Sequence, residues 1–80
     1  MNDARIRWQC RRGTRELDDL LLGWFDSFYR HASESQKSAF CRLLELQDPE
    51  LMAYLLGGAT PEDPETRHVV NAILGRTAPG

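Results

Sequence analysis

Four side chains in this 80-residue sequence have the softness to bind a transition metal or act as a nucleophile's partner: Cys10, Cys41, His31 and His68. Their spacings match no zinc pattern, since no CxxC or HxxxH pair occurs, so no metal site is expected. The two cysteines read instead as small apolar residues of a core, left as free thiols in a reducing compartment. Neither cysteine nor any serine stands in a nucleophile context, and so short a chain leaves little room for a substrate pocket. No catalytic residue is expected. Glu16, Asp18 and Asp19 could supply an acid and a base, but early carboxylates also suit the positive N-terminal end of a helix dipole, which is the reading adopted.

The chemistry that remains is that of the arginines. Residues 1–15 hold Arg5, Arg7, Arg11, Arg12 and Arg15 against Asp3, a net charge of +4, while the rest of the chain carries five basic and eleven acidic residues and stands at -6. Such a split points the basic end toward an anionic partner, whether nucleic acid, lipid, phosphate or an acidic protein surface. Nucleic acid is disfavoured, because the whole chain is acidic and no binding motif is present. Stable membrane insertion is not expected: no apolar run approaches the roughly 20 residues a spanning helix needs, and the basic start alternates with a period of two, which makes a poor amphipathic face. No signal-type segment follows Met1, so a cytoplasmic location is expected. Within the basic stretch, Arg12-Gly13-Thr14-Arg15-Glu16 looks like a helix corner. Gly13 can end one helix or begin the next, and Glu16 can reach back to the backbone N–H of Gly13. That local grammar leaves the arginines unexplained, and a glycine corner ringed by guanidinium groups suits recognition of another protein.

The elements that position this corner are helices. Leu17, Leu20, Leu21, Trp24, Phe25 and Phe28 recur at the spacing of one helical stripe. Ser33 followed by Gln36 forms a capping box ahead of Phe40, Leu43 and Leu44. Asp48-Pro49 and Asp63-Pro64 each place a capping carboxylate before a helix-starting proline, the first ahead of Leu51, Met52, Leu55 and Leu56 on one face and the second ahead of Val69, Val70, Ile73 and Leu74. The first segment is ambiguous, since Ala4, Ile6, Trp8 and Cys10 alternate as in a strand; with no second strand to pair with, a helix is preferred. The expectation is an all-α fold: one domain spanning 1–80, a five-helix antiparallel bundle with helices near 3–12, 15–31, 34–46, 49–56 and 64–75, a linker over 57–63 and a frayed end over 75–80. The stripes look sufficient for one bundle, so a monomer is expected.

The sequence Ala4-Arg5-Ile6-Arg7-Trp8, then Cys10-Arg11-Arg12-Gly13, then Arg15-Glu16-Leu17-Asp18, resembles the N-terminal signature of the succinate dehydrogenase assembly factor family. Its RGxxE motif stands here as Arg12, Gly13 and Glu16, and the similarity continues through Phe40–Leu46 and Asp48-Pro49-Glu50-Leu51. The resemblance implies a non-enzymatic five-helix protein that binds the flavoprotein subunit of succinate dehydrogenase, and in some bacteria that of fumarate reductase, and promotes its covalent flavinylation. FAD is then carried by the client, with no cofactor bound by this chain. Arg7, Trp8, Arg11, Arg12, Gly13, Glu16 and Asp18 are the partner-binding residues it implies. A small antitoxin-like or nucleic-acid-binding regulator is the alternative.

Overall fold

In the computed structural model, which describes residues 3–75, the chain forms α1 (Asp3–Gln9), α2 (Arg15–Phe28), a 3-10 turn over Tyr29–His31, α3 (Glu34–Leu44), α4 (Asp48–Leu55) and α5 (Pro64–Ile73). The all-α reading holds, and the elements fall where the sequence placed them to within a turn. Of the expected frayed end over 75–80, only Gly75 falls within the described residues, and its N–H donates to the Ala72 carbonyl at 3.1 Å.

The differences in helix bounds have local causes. The first helix stops at Gln9, three residues early, because the next bonds tighten to i→i−3: Cys10 N–H to the Arg7 carbonyl and Arg11 N–H to that of Trp8. The second helix stops at Phe28, where φ and ψ of -127° and -25° leave the helical well, and the expected last turn to His31 winds as 3-10. The third and fifth helices end two residues before the expected positions, at Leu44 and Ile73, with Glu45 and Leu74 as C-caps. The fourth begins one residue early, at Asp48, and its N-cap is Gln47, so the carboxylate expected to cap this helix lies inside it. At its other end Gly58 takes φ +79° and terminates it.

The starts of α3 and α5 follow the sequence grammar. Ser33 accepts from the Gln36 N–H while Gln36 accepts from the Ser33 N–H, the reciprocal capping box. Asp63 accepts from both the N–H and the hydroxyl of Thr66 at 2.9 and 2.8 Å. Those two bonds, the backbone one foremost, hold its carboxyl below the ordinary carboxylate range.

The core is built where the stripes converge. Leu17, Leu21 and Trp24 of α2 meet Phe40, Leu43 and Leu44 of α3, Leu51 and Leu55 of α4, and Val69 and Val70 of α5 in one buried cluster. Helix α3 packs most closely on α5, and α2 crosses both α4 and α5. Phe40 has no exposed surface and joins three elements: its ring lies 4.7 Å from that of Trp24 and 5.9 Å from that of Tyr29. Tyr29 in turn stacks on Phe25 at 4.7 Å, with the Lys37 ammonium 5.4 Å above its ring. Burial, with Cys41 beside it, pushes the Tyr29 hydroxyl up to about 12.

Tertiary packing divides three of the sequence stripes. In the first segment, Ile6 and Cys10, one helical turn apart, are buried, whereas Ala4 and Trp8 are exposed, so the apparent period of two was two helical faces superimposed. Phe28 is 59% exposed although it lies on the α2 stripe, and Met52 and Leu56 face outward while Leu51 and Leu55 face in. The expected linker over 57–63 is anchored midway, since Pro61 is buried. No helix among the described residues is long and apolar enough to cross a membrane.

Truncating Phe40 to Ala should cost about 3 to 5 kcal/mol, most of the stability of a domain this size, and a urea titration followed by circular dichroism would show the midpoint collapse. Cys10 is fully buried and burial pushes its thiol up to about 12, so a thiol reagent at neutral pH should label Cys10 only at the rate of unfolding, as peptide mass spectrometry of the labelled protein would report.

Candidate functional site

The corner between α1 and α2 is built by one short helix, one glycine and one arginine. Seven residues are too few for α1 to hold its shape alone, so it depends on what it is fastened to. Ile6 and Cys10 plug its inner face into the core. The Cys10 Sγ–H also donates to the Ile6 carbonyl at 3.5 Å. On the outer side Arg7 reaches α2 through a fork, its Nε and Nη2 donating to the two carboxylate oxygens of Asp26 at 2.9 and 3.0 Å. That pair is exposed and solvent screens it, but the bonds from Arg7 still hold the Asp26 carboxyl below its ordinary range.

At Gly13 the backbone reverses with φ +88°, a region open to glycine and strained for side-chain-bearing residues. A Cβ built there would meet nothing within 4 Å, so the requirement lies in the backbone angle, and the space beyond it is free for a partner. The N-cap of the next helix is Thr14, which extends at φ -111° and ψ 118° and makes no side-chain capping bond. The reach of Glu16 back to the Gly13 N–H, expected from the sequence, is not made. Glu16 is exposed, and Asp18, two positions further along the first turn of α2, closes the corner by accepting from the Arg12 N–H at 2.6 Å. The extra residue between Gly13 and the helix start rotates Glu16 outward and brings Asp18 over the corner.

Arg12 is the least solvated arginine of the corner, its side chain only 15% exposed. Its guanidinium donates through Nη1 to the Gln9 carbonyl at 3.3 Å, through Nη2 to the Leu46 carbonyl, and through Nε to Asp48 Oδ1 at 3.1 Å. It thereby satisfies carbonyls left open at the C-terminal ends of α1 and α3 and meets the carboxylate that opens α4. Of the residues assigned from sequence, Arg12, Asp18 and Arg7 are thus fastened to the chain's own groups. Trp8, Arg11, Gly13 and Glu16 face outward. Trp8 is 75% exposed on the side of α1 opposite Ile6 and Cys10, a large indole with almost no internal packing.

Sequence reasoning missed Asp26, Asp48 and the two carbonyls. Asp48 lies 36 positions from Arg12, and its Asp-Pro context reads completely as a helix start, so nothing local announces the pairing. The other chemistry-bearing residues do not gather here. His31 and His68 line a groove of about 390 Å³ beside Phe28, and no group of three or more metal-ligand side chains occurs among the described residues.

The fold and corner define a small all-α domain whose exposed determinants are a tryptophan, an arginine and a bare turn of backbone, arranged on a surface. Within that class, the chain belongs to the family described as the flavinator of succinate dehydrogenase, whose model matches residues 4–77. It is similar to the FAD assembly factor SdhE of Shewanella oneidensis, with 47% identity over 79 residues that cover 99% of this chain and 96% of that one. It is also similar to the proteins of the same name from Yersinia pseudotuberculosis, at 44% over 94% of this chain and 85% of the relative, and Pectobacterium atrosepticum, at 40% over the same shares.

Replacing Arg12 by Ala should lower the unfolding free energy by about 1 to 3 kcal/mol, because part-buried carbonyls and a carboxylate lose their donor; chemical denaturation would measure it. Asp26 titrates low in the folded state, so its contribution is complete above the ordinary carboxylate value near pH 4 and is lost as pH falls through the depressed one. The Asp26→Asn variant should therefore show a shallower acid limb in a pH series of melting temperatures, and added salt should shrink the difference.

Proposed function

We propose that this protein is an assembly factor that binds the flavoprotein subunit of succinate dehydrogenase and promotes the covalent attachment of FAD to it. The observation that carries this reading is similarity over nearly the whole chain to proteins named FAD assembly factor, within a family described by the same flavinylation. The resemblance extends the role to the flavoprotein subunit of fumarate reductase. The factor works in the cytoplasm as a monomer and is not itself a catalyst.

In this reading the α1–α2 corner is the docking surface. Trp8 supplies a large, rigid anchor of the kind that dominates protein interfaces. Gly13 lets client backbone approach closely, Glu16 meets a client cation, and Arg11 meets acidic or carbonyl-rich surface. Arg7, Arg12 and Asp18 belong to the same surface mainly by holding it in shape. The FAD and the histidine it joins both belong to the client, and the factor binds no cofactor of its own. Its contribution is positioning: fixing two reacting groups in register can lower a barrier by about 7 to 11 kcal/mol in the best cases. The engagement of Arg7 and Arg12 with internal carboxylates leaves fewer guanidinium groups for phosphate, which disfavours the nucleic-acid alternative.

Deleting the gene should abolish the covalent flavin fluorescence at the size of the succinate dehydrogenase flavoprotein on a denaturing gel, and re-expression should restore it. Undiminished fluorescence in the deletion strain would refute the reading. Trp8→Ala should leave the melting temperature unchanged yet weaken client binding by about 30-fold, corresponding to roughly 2 kcal/mol. If Gly13→Arg keeps its helix content and still supports full flavinylation, the corner is not where the client docks.

A further inference from the structure

The link between α3 and α4 reaches the α1–α2 corner through the Leu46 carbonyl and Asp48. We propose that Asp48 is a positioning residue for client recognition: it holds the Arg12 guanidinium and thereby fixes the α1–α2 corner, without touching the client itself. The inference rests on the corner being the docking surface.

Three observations carry it. First, Arg12 spends three of its five donors internally, on Asp48, Leu46 and Gln9, and its side chain is 15% exposed, so it has little left to offer a partner. Second, Asp48 is the one side chain among those three acceptors, and a guanidinium N–H that is mostly withdrawn from water needs an acceptor. Third, α1 is only seven residues long, with Ile6 the sole buried residue inside it and Cys10 just beyond its end, so packing fixes its position along a single turn. The Arg7–Asp26 fork sets its middle against α2, and among the described residues only the Arg12 side chain hydrogen-bonds the turn that follows α1 to the far side of the bundle, across 36 positions of sequence. Removing Asp48 would leave Arg12 held by carbonyls alone and free to turn outward, and Gly13 and Trp8 would lose their fixed relation to α2.

The test measures the dissociation constant of the purified client flavoprotein subunit for the full-length protein and for Asp48→Ala, Asp48→Asn, Arg12→Ala and the Asp48→Ala/Arg12→Ala double variant. Gly13→Arg reports on the corner, and Val69→Ala reports on a stability loss elsewhere. Asp48→Ala should weaken binding by about tenfold, and the double variant should bind no more weakly than Arg12→Ala alone. Asp48→Asn should recover most of the loss, since its amide oxygen can still accept from Nε; a residue that met a client cation directly would not be rescued so. The Arg12 Nε–H resonance should exchange slowly with water in the parent protein and in Asp48→Asn, and rapidly in Asp48→Ala. Parent-like binding by Asp48→Ala, multiplicative losses in the double variant, or an equal loss in Val69→Ala would overturn the inference. If Gly13→Arg is impaired while Asp48→Ala is not, only this inference falls; if both bind as the parent does, the docking corner falls with it.

Discussion

Two helix ends and one helix start converge on the guanidinium of Arg12. Each end leaves carbonyls without partners, and each must find a donor or water. Planar geometry lets a single arginine serve the Gln9 and Leu46 carbonyls and the Asp48 carboxylate together, which a lysine's ammonium on its flexible stem would not match. The same residue's backbone N–H is taken by Asp18. Arg12 therefore joins α1, α2, α3 and α4 near one point, and the left-handed turn at Gly13 follows directly after it. The corner's outward face has a defined shape because its inward face is fastened this way.

The apolar core sets the limits within which that clamp works. Phe40, Trp24, Phe25 and Tyr29 form a ring-on-ring cluster that fixes α2 to α3, and Val69 and Val70 bring α5 against them. These contacts are non-directional and would tolerate small rotations of α1, whose grip on the core is Ile6 and Cys10. Hydrogen bonds are directional, so the division of labour follows: burial holds the bundle together, and the two arginine–carboxylate links orient its first helix. Exposure of Trp8 fits this division, since an indole standing outside the core adds nothing to folding and is available for binding.

Much of this was legible in the chain because it is written in short-range patterns. The stripe from Leu17 to Phe25, the capping box of Ser33 and Gln36, the Asp63 cap and the glycine turn at Gly13 each depend on residues a few positions apart, and each formed as its spacing implied. The signature from Ala4 to Asp18, together with Phe40–Leu46 and Asp48-Pro49-Glu50-Leu51, likewise pointed to the family to which the chain belongs. What local spacing could not decide was the direction of each side chain once helices met. Period two in the first segment concealed an inward and an outward face, and Phe28, Met52 and Leu56 lay on apolar stripes but were left uncovered by neighbouring helices.

The sequence by itself determined the helices, the caps at Ser33 and Asp63, the glycine corner and the family, because those follow from interactions within one or two turns of chain. Only the tertiary structure decided that Arg12 faces inward, that Asp18 rather than Glu16 closes the corner, and that Asp48 answers an arginine 36 positions away. The physical reason is that a carboxylate carries the same local preferences at a helix start whether or not a distant guanidinium arrives; the partner is chosen by how the helices pack.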